Sequence, residues 1–299
     1  MDLHQIIKDS IDSRLATAGT VAQSQNRWSL RDHANLNYVP NDACWVKDIN
    51  LSGLICSYTT SGGTTEWKKT AALITPRCVI FAAHYQLPVG AKLHFKNALG
   101  QIVTKTMTKK VVHPHYKINK NLDLCIGLLD EAPEGCTPLS VLPKDYETYF
   151  PDGGLGLPVL QLDQIDDVGC AEIFRLNWQY LCQLNRPQSD PKRIEFHEYL
   201  VGGDSSDQGI MLVENNPILL TVWRYGGAGV GCAIHDQIDW VDKTCKSLAD
   251  EETFKFDLSN PRPNTGPSII PLPKIKCSFS PRVMLHNMRR FGRMMTGRG

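Results

Sequence analysis

Apolar positions along this chain follow two rhythms. Over residues 3–15, Leu3, Ile7, Ile11 and Leu15 recur every four positions with charges between them, the stripe of an amphipathic helix. Residues 16–42 are polar and irregular. From about 43 to 232 the texture changes to short apolar runs separated by Gly, Pro, Asn and Asp, at 51–58, 70–75, 79–83, 92–95, 102–107, 122–129, 210–213 and 218–222. Short runs bounded by turn residues predict antiparallel strands in a sandwich or barrel. Glu214-Asn215-Asn216-Pro217 predicts a hairpin turn between the last two. A helix is predicted over about 234–247, where Ile234, Ile238, Val241 and Cys245 keep helical spacing.

The end of the chain differs again. Residues 257–281 carry prolines at 261, 263, 267, 271, 273 and 281, which predicts an extended linker or a tail laid over a surface. Residues 282–299 hold five arginines and no acid. Met284, Met288, Phe291 and Met295 fall on one helical face there, so the segment reads either as a partner-docking or membrane-surface helix or as a frayed basic tail. The predicted organisation is an N-terminal extension with a short helix (1–42), a β domain (43–248) and a Pro-rich linker with a basic tail (249–299). No internal repeat is visible.

Composition narrows the classes. At 299 residues and 42% apolar, the chain can build a sizeable core, as one large or two small domains. Lys and Arg number 32 against 31 Asp and Glu, so a net charge of +1 predicts no bulk attraction to nucleic acid. No run of about 18 apolar residues exists, so no transmembrane helix is expected. The opening Met-Asp-Leu-His-Gln-Ile-Ile-Lys lacks a basic start and an apolar h-region, so no secretory signal peptide is expected. That points to a cytoplasmic or viral setting rather than classical secretion. Ten cysteines occur without a Cys-x-x-Cys pair, which argues against structural zinc and, with no signal peptide, for reduced thiols. Cys125, inside an apolar run, reads as a buried free thiol.

Three stretches carry candidate chemistry. Phe81-Ala82-Ala83-His84 ends an apolar run on a histidine, Asn121-Leu122-Asp123-Leu124 opens another with an aspartate, and Gly202-Gly203-Asp204-Ser205 sets a serine in a polar turn. A serine hydroxyl needs a histidine to take its proton, and the histidine needs a carboxylate to fix its tautomer. The parts of nucleophilic acyl transfer are therefore present, with Gly203 and Ser205 N–H as candidate oxyanion donors. His113 and His115 suggest a metal pair at most weakly; a loop role suits them better, and no metal ligand set is predicted.

These stretches resemble the chymotrypsin-like (trypsin-like) serine proteases. The resemblance rests on Leu73-Ile74-Thr75-Pro76-Arg77-Cys78-Val79-Ile80-Phe81-Ala82-Ala83-His84, on His113-Pro114-His115-Tyr116 with Asn121–Leu129, on Gly203-Asp204-Ser205 and on Ile238-Asp239-Trp240-Val241. It covers roughly 43–245. It implies an all-β fold of two antiparallel Greek-key barrels with a C-terminal helix and terminal extensions, and an active site in the cleft between the barrels. His84 would be the general base, Asp123 its orienting acid and Ser205 the nucleophile. By position, Tyr199, Leu200, Gly226 and Gly227 would form the substrate pocket, with no acid to attract Lys or Arg. No metal or organic cofactor is implied, and the partner is a peptide or protein substrate, besides any docking partner of the tail.

The departures are specific. Ser206 stands where the family usually has glycine, followed by Asp207 and Gln208. Tyr85 and Val201 replace cysteines of familiar disulfides, and no Ile-Val-Gly-Gly activation site occurs, so Asp204 needs another partner or a preformed turn. Two rivals follow. One is a catalytically weak or inert domain of this fold serving as a structural or binding module, for example in a viral or membrane assembly. The other is a non-peptidase hydrolase using the same three residues.

Overall fold

Most of the apolar runs contain strand segments buried on both faces, the 102–107 run being partly exposed. The computed structural model describes residues 2–261. It opens with helices α1 (Leu3–Thr17) and α2 (Val21–Ser24) and a hairpin of β1 (Trp28–Asp32) with β2 (Asn37–Pro40). A first sheet contains β3 (Ile55–Thr59), β4 (Thr65–Glu66), β5 (Ala72–Leu73), β6 (Cys78–Phe81), β7 (Lys92–Lys96), β8 (Ile102–Val112) and β9 (Cys125–Leu129). A second contains β10 (Ser140–Val141), β11 (Pro158–Leu162), β12 (Val168–Trp178), β13 (Leu181–Asn185), β14 (Gln208–Val213), β15 (Asn216–Tyr225) and β16 (Val230–Ala233). Helix α3 (Pro191–Glu195) precedes β14, and α4 (Ile238–Ala249) follows β16.

The second sheet closes on itself. Its strands run β10-β15-β14-β11-β12-β13-β16, and β15 also pairs with β16, so six strands form a closed antiparallel barrel. Closure needs β15 to serve two neighbours, and register shifts at Gly209/Ile210 on one side and Trp223/Tyr225 on the other let the ladder bend. The first sheet runs β4-β3-β7-β8-β9-β6-β5. The start of β3 approaches β5 at an antiparallel bridge, Leu54 with Ala72.

Period-2 alternation sorts side chains into separate cores. On β6, Val79 and Phe81 enter the core of the first sheet, while Cys78 and Ile80 enter a core shared by both sheets and α4. On β14, Met211 and Val213 fill the barrel, while Ile210 and Leu212 join the shared core. That shared layer presses the sheets together and fixes the seam where β6, β9 and the turn before β14 meet.

Most predicted elements are present with shifted ends. The expected helix over 234–247 is a 3₁₀ turn (His235–Gln237) leading into α4. The 102–107 run extends to Val112, because β8 pairs with both β7 and β9. The hairpin turn falls at Glu214-Asn215, between β14 and β15. The polar segment 16–42 is not irregular: it forms α2 and the β1–β2 hairpin. Strands β11 to β13 and helix α3 lie outside the runs singled out above.

The N-terminal segment packs into the fold. Ile7 joins the barrel core, and Ile11 and Leu15 join the shared core, each fully buried. Ser10 Oγ accepts the Glu214 N–H at 2.7 Å. Arg193 of α3 pairs with Asp12 of α1 at 2.7 Å and Glu172 of β12 at 2.8 Å. All nine described cysteines are free and buried, Cys125 included. No described helix is long and apolar enough to cross a membrane. The basic-tail helix at 282–299 and the prolines beyond 261 lie outside the described residues.

Candidate active site

The end of β6 presents His84, and the entry to β9 presents Asp123. The two strands pair antiparallel from Phe81 with Cys125 onward, which sets these side chains opposite each other. Ser205 comes from the turn before β14, on the barrel side of the seam. These residues, 39 and 121 positions apart from His84, converge. His84 Nδ1 lies 2.5 Å from Asp123 Oδ2, and His84 Nε2 lies 2.8 Å from Ser205 Oγ. Asp123 Oδ1 also accepts the His84 backbone N–H at 2.9 Å, which locks the two residues as a unit. With Nδ1–H donating to the carboxylate, Nε2 is free to accept the serine hydroxyl proton.

Burial grades along this relay. Asp123 is 1% exposed, whereas the His84 side chain is 31% exposed and Ser205 is half-buried. A carboxylate removed from water requires partners. Arg224 supplies a second one beside His84, its Nε 3.8 Å from Asp123 Oδ2. Its Nη1 donates to Asn121 Oδ1 at 2.9 Å, and Asn121 Nδ2 donates to the Gln179 carbonyl at 3.0 Å. Gln179 and Tyr180 form the β12–β13 hairpin turn with φ of 50° and 72°. The sequence reading missed Arg224; the available signal was a lone cation in the apolar strand β15, just before Gly226-Gly227.

The turn that carries Ser205 is held by the side chain of Asp204. Asp204 Oδ2 accepts the Val201 N–H at 2.5 Å and Oδ1 accepts the Gln164 N–H at 3.3 Å. The carboxylate thus ties the turn both to its own start and to the loop at Gln164. Gly203 has φ of 120°, and a Cβ there would meet the Gln164 side chain at 2.5 Å. Only glycine fits. Among the described residues, neither the Gly203 nor the Ser205 N–H has an acceptor. Both remain available to a developing negative charge.

Beside Ser205 lies a cavity of about 150 Å³, lined in part by Leu200, Trp223, Arg224, Tyr225 and Gly226. Of the four predicted pocket residues, Leu200 and Gly226 line it. Tyr199 is 61% exposed, set edge-on to His197, and is not in the lining. Gly227 instead pairs with Leu200 through two backbone hydrogen bonds, of 2.8 and 3.1 Å. That bridge zips the pocket walls together where no disulfide exists.

Two further features flank the site. Asp163, Asp167 and Glu198 crowd within 4.8 Å of one another in and near the turn that props Asp204. Burial above all, aided by the Asp167 charge, pushes the Asp163 carboxyl up to about 7. Asp207 is buried, and that burial pushes its carboxyl well above the usual range. His113, by contrast, is a core histidine: its ring sits 4.5 Å from that of Trp240, and its Nδ1 accepts the His115 N–H at 3.3 Å. No protein-family model matches this chain, and no curated protein matches it.

Proposed function

We propose that this chain is a chymotrypsin-like serine endopeptidase, cleaving peptide bonds through an acyl-enzyme on Ser205. The observation that carries the reading is the unbroken relay from Ser205 Oγ through His84 to the buried Asp123, at 2.8 and 2.5 Å. The closed barrel, the first sheet and the C-terminal helix support it as the expected frame.

Ser205 Oγ attacks the scissile carbonyl carbon as His84 Nε2 takes the hydroxyl proton. Asp123 keeps the imidazole in the right tautomer and stabilises the imidazolium. The tetrahedral oxyanion is received by the Gly203 and Ser205 N–H groups. The imidazolium then protonates the amine nitrogen, the C–N bond breaks and the amine departs. A water deprotonated by the same histidine then attacks the acyl carbon, the ester C–O bond to Ser205 breaks, and the imidazolium returns its proton to Ser205 Oγ as the acid product leaves.

Asp204 is already satisfied by the Val201 and Gln164 amides, so activity should need no cleavage upstream. The guanidinium of Arg224 lines the cavity together with Asp204 and disfavours a substrate Lys or Arg, and a small or medium uncharged side chain suits the cavity. The inert-module reading drew on the bulk of Ser206 and Asp207. Both are buried, so that bulk is taken up inside the fold.

A fluorophosphonate probe tests the proposal. Wild-type protein is expected to be labelled, with Ser205→Ala unlabelled and His84→Ala labelled at least about a hundredfold more slowly. A correctly folded wild type that takes no label would sink the hydrolase reading and favour a structural module. Cleavage of a peptide library then separates an endopeptidase from another hydrolase.

A further inference from the structure

We infer that Ser206 is a positioning residue that ties the nucleophile turn to the strand delivering His84, and thereby sets the Ser205–His84 separation. The inference rests on the hydrolase reading above. Ser206 is fully buried and has φ of 80°, in the left-handed region that disfavours a side chain. Glycine would occupy this backbone without strain. Serine here therefore calls for a compensating contact, and one is present.

Ser206 Oγ accepts the Ala82 N–H at 3.0 Å. Ala82 lies two residues before His84. The neighbouring ladder shows why its amide needs this acceptor. Phe81 pairs with Cys125, and the Ala83 N–H donates to the Asp123 carbonyl, so the amides on either side of Ala82 belong to the β9 edge. Along an extended chain successive amides point to opposite edges. The Ala82 N–H therefore faces the edge served by β5, which pairs only Ala72 and Leu73 with β6 and falls short of Ala82. Ser206 Oγ fills the missing position of that strand. Without it a fully buried N–H would be orphaned.

The backbone of Ser206 completes the clasp. Its carbonyl accepts Thr70 Oγ1 at 2.9 Å and Gln208 Nε2 at 2.8 Å, and its N–H donates to the Trp223 carbonyl at 3.1 Å. Thr70, just before β5, and Ala82, just after β6, lie on the side of the first sheet; Gln208 and Trp223 belong to the barrel. One residue thus bonds to both sides of the seam, directly beside the nucleophile. The pairing of base and serine across that seam depends on a fixed spacing, and this contact supplies it.

Ser206→Gly relieves the backbone and removes only the hydroxymethyl group, so the variant is expected to fold. Its KM should stay within about twofold of wild type while kcat and the fluorophosphonate labelling rate fall about 10- to 100-fold, the scale of a small misplacement of reacting groups. Ser206→Ala keeps the strained backbone without the acceptor; it should melt earlier than Ser206→Gly and show the same kinetic defect. A Ser206→Gly protein with kcat and labelling rate within twofold of wild type would overturn the inference. Its crystal structure gives a reading free of activity: a lengthened Ser205 Oγ–His84 Nε2 distance supports the clasp, and an unchanged 2.8 Å overturns it. Should wild type take no label at all, the hydrolase reading fails on its own account, and this distance still decides the clasp.

Discussion

At the scale of residues, the candidate site is a set of small commitments that leave few groups free. Asp123 faces His84 and Arg224, Asp204 takes two backbone amides, and Ser206 takes a third from the opposite sheet. Arg224→Met tests the cation's part. It removes the ion pair at 3.8 Å from the support of the buried Asp123. Labelling by fluorophosphonate should slow about tenfold to a hundredfold, and Arg224→Lys should recover only part of it, because Lys lacks the fork that spans Asn121 and Asp123. Equal labelling by wild type and Arg224→Met would remove Arg224 from the machinery. His84, Asp123 and Ser205 were legible from local context: an apolar strand ending in histidine, an acid opening a strand, a serine after glycine. Arg224 was not, because its partner lies 101 residues away and only folding brings the two together.

At the scale of elements, strands with strong apolar runs were readable, and those with interrupted patterns were not. Strand β12 carries exposed Phe174, Arg175 and Trp178 among buried positions, and β11 is interrupted near its end by Gln161, which is buried with its Nε2 donating to the Ala228 carbonyl at 3.1 Å. Their pairing, not their composition, makes them strands. Helix α1 shows the opposite outcome. Its stripe was visible, yet the stripe does not say what covers it. Ile7, Ile11 and Leu15 turn out to be core residues of both sheets. Ile11→Ala should therefore cost about 2–5 kcal/mol, the usual range for emptying a buried isoleucine site. Urea unfolding measures it: a lower midpoint at an unchanged slope is expected, and a loss below about 0.5 kcal/mol would mean that α1 is only loosely attached.

At the scale of the whole molecule, pH should act on stability through the acidic turn beside the barrel. Asp163 is held near 7 from an ordinary 3.8, with Asp167, Glu198, Asp166 and Asp204 close by and Arg27 and Arg31 engaged with Asp166. Between these two values the folded chain binds more protons at Asp163 than the unfolded chain does. Stability contributed at this site therefore falls as pH rises from about 4 to about 7 and levels off above that. Asp163→Asn cannot ionise, and its amide oxygen can still accept the Ile165 and Asp167 N–H groups that Asp163 Oδ1 holds at 2.9 Å. Its melting temperature should exceed that of wild type by several degrees at pH 8, at about 2–4 °C per kcal/mol. The gap should close near pH 4. A constant gap across that range would show that Asp163 does not carry the proton.

Sequence by itself determined the class of element, the N-terminal amphipathic stripe and the three residue types suited to acyl transfer. Each of these is written in spacing over a few positions, where backbone geometry alone links residue to neighbour. Tertiary structure decided the rest: which sheet closes, where α1 docks, that Ser205 stands 2.8 Å from His84, and that Ser206 and Arg224 support them. Those facts depend on contacts between residues remote along the chain. Such contacts arise only when buried faces choose partners, and no local pattern records that choice.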